Sequence, residues 1–340
     1  MSRAMSAVPV QNLGSPDIGT PTLWIGFSVF VVAALLLDFV VFHRKSHEVR
    51  TRQALAWVGL WVGLAMVLVL LLRVQFGSEP SLQFLAGYLL EYALSVDNLF
   101  VFLVIFAYFK VPAAAKDRVL FLGILGSILL RGIFILVGTA LIHHFHFVLY
   151  LFGAFLIFTG LKLLFQRGDE EVAIEHSPVI RVFRRFVPMV PAYHGDKFFI
   201  RDGQELRATP LLLVVAVLGF TDVIFATDSI PAIFGVTQDP FIIYSSNIFA
   251  VLGLRALFFV VSTMMTRFHL LKFGLALILA FIGVKMLIAD LYAFPFAGAL
   301  GIDHPLRIPI GIALGVVAAL LTLSIVGSLI FPAPEESRPS

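Results

Sequence analysis

Long apolar stretches recur along the chain, separated by short polar and basic connectors. A helix crosses a bilayer with about 20 mostly apolar residues. Nine stretches reach that length: roughly 22–42, 54–72, 82–109, 119–142, 147–165, 209–236, 241–265, 269–290 and 307–331. The pattern predicts an all-α polytopic membrane protein. It divides the chain into an external segment (1–20), two N-terminal spans (21–80), a three-span unit (81–165), a long loop (166–208), a second three-span unit (209–291), and a last span with its tail (292–340).

Composition agrees. Of 340 residues, 60% are hydrophobic, 35 are phenylalanine and only 13% are charged, more apolar surface than a soluble domain can hide. Cysteine is absent, which excludes disulfides, thiol redox chemistry and thiolate metal sites within this chain. Residues 1–20 lack a basic region followed by an apolar core, so no cleaved signal peptide is expected. The net charge of +3 does not point to nucleic acid, because the basic residues cluster in connectors. On one side lie "HRKSHEVRTR", "KVPAAAKDR", seven basic residues of loop 166–208, "TRFHLLK" and one in the tail. The other side holds only Arg3, Arg73 and Arg307. The positive-inside rule then predicts an external N-terminus and a cytoplasmic C-terminus. Within the long loop, "VIRVFRRFV" suits a helix lying on the membrane surface, and "KFFIRDGQELRATP" a hairpin turning at Asp202-Gly203.

A repeat runs through the spans. "EYALSVDNLFVF" lies over "DVIFATDSIPAIF", matching Glu91 with Asp222, Asp97 with Asp228 and Asn98 with Ser229 at an offset of 131. Further on, Arg131 matches Arg255 and Lys162 matches Lys285. Spans 3–5 and 6–8 are two copies of one unit. An odd number of spans per copy predicts an inverted repeat, an arrangement whose substrate site lies between the copies near the midplane.

Carboxylates inside a span cost about 2.5–3.5 kcal/mol each on insertion scales and mark function by default. Glu91, Asp97, Asp222 and Asp228, with Asn98 and Ser229, offer only oxygen ligands, which suits a hard divalent cation such as Mn²⁺ better than a soft metal. Arg131 and Arg255 are the charge-balancing candidates, and ion pairing with them is the competing, purely architectural explanation of the acids. Residues six apart on a helix are turned by about 240°. Either Glu91 and Asp97 point to different partners, or the helix breaks between the acids of a pair. Pro231, three residues past Asp228, is the candidate break. Lys162 and Lys285 are expected to snorkel from helix ends, and Asp38 to pair with Arg44.

"EYALSVDNLFVF", "FTDVIFATDSIPAIFGV" and "FFIRDGQELRATPLLLVV" resemble the signatures of the TerC family of bacterial integral membrane proteins, over roughly residues 20–330, with a layout similar to its Alx-type members. The family takes its name from tellurium resistance, and its members are implicated in metal homeostasis, notably manganese export. The resemblance implies that Glu91, Asp97, Asp222 and Asp228 are transport acids. The expectation is a divalent cation exporter, Mn²⁺ first and H⁺-coupled by hypothesis, with the metal ion and membrane lipid as partners, no nucleic acid partner and no resident cofactor. A non-transporting scaffold, or a stress- or redox-associated membrane factor, is the alternative. An intramembrane protease is disfavoured, since no span carries GxGD or a GxSG-like nucleophile.

Overall fold

The computed structural model describes residues 18–43, 51–145, 147–165, 178–202, 205–262, 270–289, 306 and 308–331. Among them nine helices are long and apolar enough to span a membrane: α1 (Pro21–His43), α2 (Thr51–Phe76), α3 (Ser78–Tyr108), α4 (Ala113–His144), α5 (Val148–Phe165), α7 (Pro210–Phe234), α8 (Pro240–Ser262), α9 (Leu271–Ala289) and α10 (Ile310–Ile330). Each lies where hydropathy places it, though α3 and α4 extend several residues past their predicted ends. Proline opens α1, α7 and α8, where its fixed φ suits the first turn and its missing N–H removes a donor that would have no partner.

The loop before α7 carries α6 (Pro178–Phe186) and a hairpin, β1 (Phe199–Asp202) paired antiparallel with β2 (Glu205–Ala208), as the loop sequence predicts. This segment is tied to the α3–α4 turn. The Tyr193 hydroxyl donates to the Phe109 carbonyl at 2.6 Å, and Arg118 pairs with Asp196 at 2.8 Å. Burial pushes the Tyr193 phenol above its ordinary pKa.

One helix forms the centre. Buried residues make up 94% of the α8 span, against 17% in α2 and α10. Large apolar side chains such as Val74, Leu36 and Leu323 point outward from the peripheral helices, as expected of a lipid-facing surface. Aromatic packing fixes α1 against α8, with Trp24 edge-on to Phe241 at 5.3 Å and Phe30 stacked on Phe249 at 5.2 Å.

Asp239 fastens the start of α8. Its carboxylate accepts from the Ile242 N–H at 3.0 Å, as a helix cap does, and from the Ile18 N–H at 2.8 Å, holding the chain entering α1. Asp239→Ala should cost about 1–3 kcal/mol, because it removes a cap and leaves a buried N–H without its acceptor. Thermal unfolding in detergent measures this; an unchanged midpoint would contradict the capping account.

The two three-helix units interlock. Gly87 of α3 packs on Ser246 of α8 and Tyr92 on Gly253, so these helices run parallel. Gly123 of α4 packs on Leu218 of α7 and Gly138 on Phe234, again parallel. Helices α5 and α9 run antiparallel, with Gly153 against Gly283 and Leu287, and Gly160 against Ala276 and Ala280. A Cβ on Gly160 would lie 2.6 Å from the Ala276 carbonyl oxygen and 2.9 Å from the Ala280 nitrogen. Only glycine permits that approach of two backbones. Gly160→Val should therefore destabilise by at least the roughly 1–3 kcal/mol of an overpacked core, read as a lower melting temperature. Full stability in that variant would show that α5 and α9 do not pack this way.

Candidate functional site

The two acidic motifs bring four carboxylates into α3 and α7, and the fold sorts them into two pairs. Each pair takes one residue from each three-helix unit.

The first pair is Glu91 and Asp222. Both are buried, and Arg131 of α4, fully buried, lies between them. One guanidinium nitrogen donates to Glu91 and, at 3.4 Å, to the side-chain oxygen Oδ1 of Asn247 on α8; the other meets Asp222 Oδ1 at 3.4 Å. Arg131 Nε donates to Ser127 at 3.1 Å. A planar guanidinium with five fixed donors suits this task, since it can serve two carboxylates and an amide at once. The cluster sums to one net negative charge. Asp222 Oδ2, Asn247 Nδ2, Ser95 Oγ and Ser229 Oγ are buried and lack a hydrogen-bond partner among the described residues.

The second pair is Asp97 and Asp228. They line a pocket of about 180 Å³ together with Leu94, Asn98, Thr159, Lys162, Phe225 and Leu279. Both acids are partly accessible, Asn98 is buried, and the Thr159 hydroxyl and the Lys162 ammonium lie near Asp228. The pocket has room for a cation with part of its hydration shell. Its polar lining is oxygen-rich, with a single ammonium group.

Several expectations need correction. Pro231 does not break α7; the helix continues through it to Phe234 and ends at Gly235. Asp222 and Asp228 therefore share one continuous helix. The acids of each motif instead point to different partners, as the 240° turn between them requires. Arg255 does not approach the acidic motifs. It lies near the end of α8, where it donates to Asp38 of α1 at 2.6 Å and to Asp117 of α4 at 2.7 Å. Asp38 thus takes Arg255 as its partner; Arg44 lies outside the described residues. Lys162 lines the pocket, and Lys285 donates to the Gly235 carbonyl at 2.9 Å. Ser229 is buried but not among the pocket lining, and the four acids do not form one cluster. Among the described residues no three His, Asp or Glu side chains gather in a metal-binding group.

Asn247 and Thr159 are the site residues that sequence reasoning missed. A signal existed for each: Asn247 ends a polar Ser245-Ser246-Asn247 run inside an apolar helix, and Thr159 precedes Lys162 by three residues, on the same helix face.

Comparison with known proteins decides the family. The model of the TerC family of integral membrane proteins matches residues 76–335. The chain belongs to the TerC family. It is 47% identical to an uncharacterized membrane protein of Myxococcus xanthus over 93% of this chain and 94% of that one. It is 46% identical to Alx of Salmonella typhi, over 91% of this chain and 94% of that protein, and 46% identical to Alx of Escherichia coli K12, over 84% and 91%. The names of the latter two propose a membrane-bound redox modulator. No solved structure matches.

Proposed function

We propose that this TerC-family protein exports a divalent cation, Mn²⁺ first, across the inner membrane, and that Asp97 and Asp228 are its principal ligands. The observation that carries this reading is the pocket itself: two carboxylates at matched positions of the two units face one polar chamber, with Asn98 and Thr159 beside them. Hard oxygen donors and a −2 carboxylate pair suit Mn²⁺, Mg²⁺ or Ca²⁺. An inverted repeat fits the packing, because exchanging the two units converts the parallel α3–α8 contact into the parallel α4–α7 contact and leaves the antiparallel α5–α9 contact in place. The bias of basic residues supports an external N-terminus and a cytoplasmic C-terminus.

The Glu91–Arg131–Asp222 cluster favours a second role for its acids, that of joining α3, α4, α7 and α8. We assign these two carboxylates to assembly and charge balance rather than to first contact with the cation. A redox role of the kind proposed in the Alx names would need an electron carrier other than cysteine.

Direct titration of the purified protein with Mn²⁺, reading the free ion by electron paramagnetic resonance, tests the assignment. Wild type should bind, and Asp97→Asn and Asp228→Asn should bind at least about 10- to 100-fold more weakly, the cost of losing even an outer partner of a metal ligand. Undiminished binding in both variants would remove the pocket from consideration.

A further inference from the structure

We propose that Lys162 is a tethered counter-cation of the Asp97–Asp228 pocket: its ammonium group holds the carboxylates in the empty carrier and leaves them when the transported cation binds. This rests on reading the pocket as the cation site. Four observations support it. Lys162 lines the pocket beside both acids and within the field of Asp228. Its side chain is otherwise exposed, so the flexible four-carbon stem has somewhere to swing. The matching lysine is not in this position, since Lys285 is engaged by the Gly235 carbonyl. Finally, the same asymmetry holds for the arginines: Arg131 reaches the acids, and Arg255 is held by Asp38 and Asp117. In both matched pairs, the basic residue of the first unit serves the carboxylates.

Charge counting explains why displacement would follow. Two carboxylates and one ammonium sum to −1. A divalent cation added beside the ammonium would bring the site to +1 and place two like charges together where the dielectric is low. With the ammonium gone, the dication and two carboxylates sum to zero. A monovalent ion would reach neutrality with the ammonium still in place, so only a divalent ion drives the exchange. Because the lysine competes with the cargo, it speeds release on the far side.

The test is Mn²⁺ binding to the purified full chain, measured for wild type, Lys162→Met, Lys162→Gln, Lys162→Arg and Lys285→Met. Removing the competitor should tighten binding by at least about tenfold in Lys162→Met and Lys162→Gln. Lys162→Arg, which keeps the charge, should bind within about threefold of wild type, and so should Lys285→Met. In vesicles, Lys162→Met should turn over more slowly despite its tighter binding. Unchanged or weaker binding in both neutral variants, with wild type binding normally, overturns this role for Lys162 while leaving the pocket as the cation site. Failure of wild type to bind any divalent ion overturns both readings.

Discussion

Arg131→Met should destabilise the detergent-solubilised protein by about 3–5 kcal/mol, the usual penalty for removing one member of a buried ion pair. The cause is less the lost attraction than what remains. Glu91 is 1% exposed and Asp222 3% exposed, and with Arg131 gone both carboxylates lie near the middle of their spans without the cation they share. The double variant Glu91→Gln/Arg131→Met should recover part of the loss, because one of the stranded charges is then neutral; a double-mutant cycle isolates that coupling. Arg131→Lys should fall between, since an ammonium cannot fork to two carboxylates as a guanidinium does. Melting temperatures in detergent read all three. An Arg131→Met midpoint indistinguishable from wild type would mean that the three residues do not hold the helices together.

The second large effect is expected at the pocket. Asp228→Asn keeps the side chain's volume and its oxygen but halves the carboxylate charge facing the cation. Its transport should fall at least about 10- to 100-fold, with membrane insertion and melting temperature near wild type. Asp97→Asn should do the same, since the two residues occupy matched positions. Glu91→Gln should instead lower stability more than transport. That contrast separates an ion site from a helix clamp. A transport loss in Asp228→Asn accompanied by an equal loss of folded protein would favour the scaffold alternative.

Much of this was legible in the sequence, and the limit is physical. Nine apolar stretches and the hairpin at 199–208 depend on local composition and turn chemistry, which a single chain displays directly. The four acids stood out for the same reason: charge inside an apolar run is conspicuous. The matched motifs also carried a grouping that the fold keeps, since Arg131 reaches both Glu91 and Asp222 and one pocket holds both Asp97 and Asp228. What the sequence did not reveal is depth. Arg131 and Arg255 match in alignment, yet Arg255 pairs with Asp117, 14 residues before Arg131 on α4. At about 1.5 Å per residue they reach different layers of the bundle. So Arg255 meets Asp38 and Asp117, and only Arg131 meets the motif acids. Asn247 ends a visible polar run, but its importance comes from being on the most buried helix, which that run does not announce.

The central claim is that Asp97 and Asp228 carry a divalent cation through this protein. Mn²⁺ flux into proteoliposomes holding the purified chain tests it most directly, measured with and without a pH gradient for wild type beside Asp97→Asn and Asp228→Asn. The account predicts flux in wild type that responds to the gradient and is lost in both variants, with each protein equally folded. Equal flux in wild type and in both variants, or no flux of Mn²⁺, Mg²⁺ or Ca²⁺ from well-folded wild type, would contradict it.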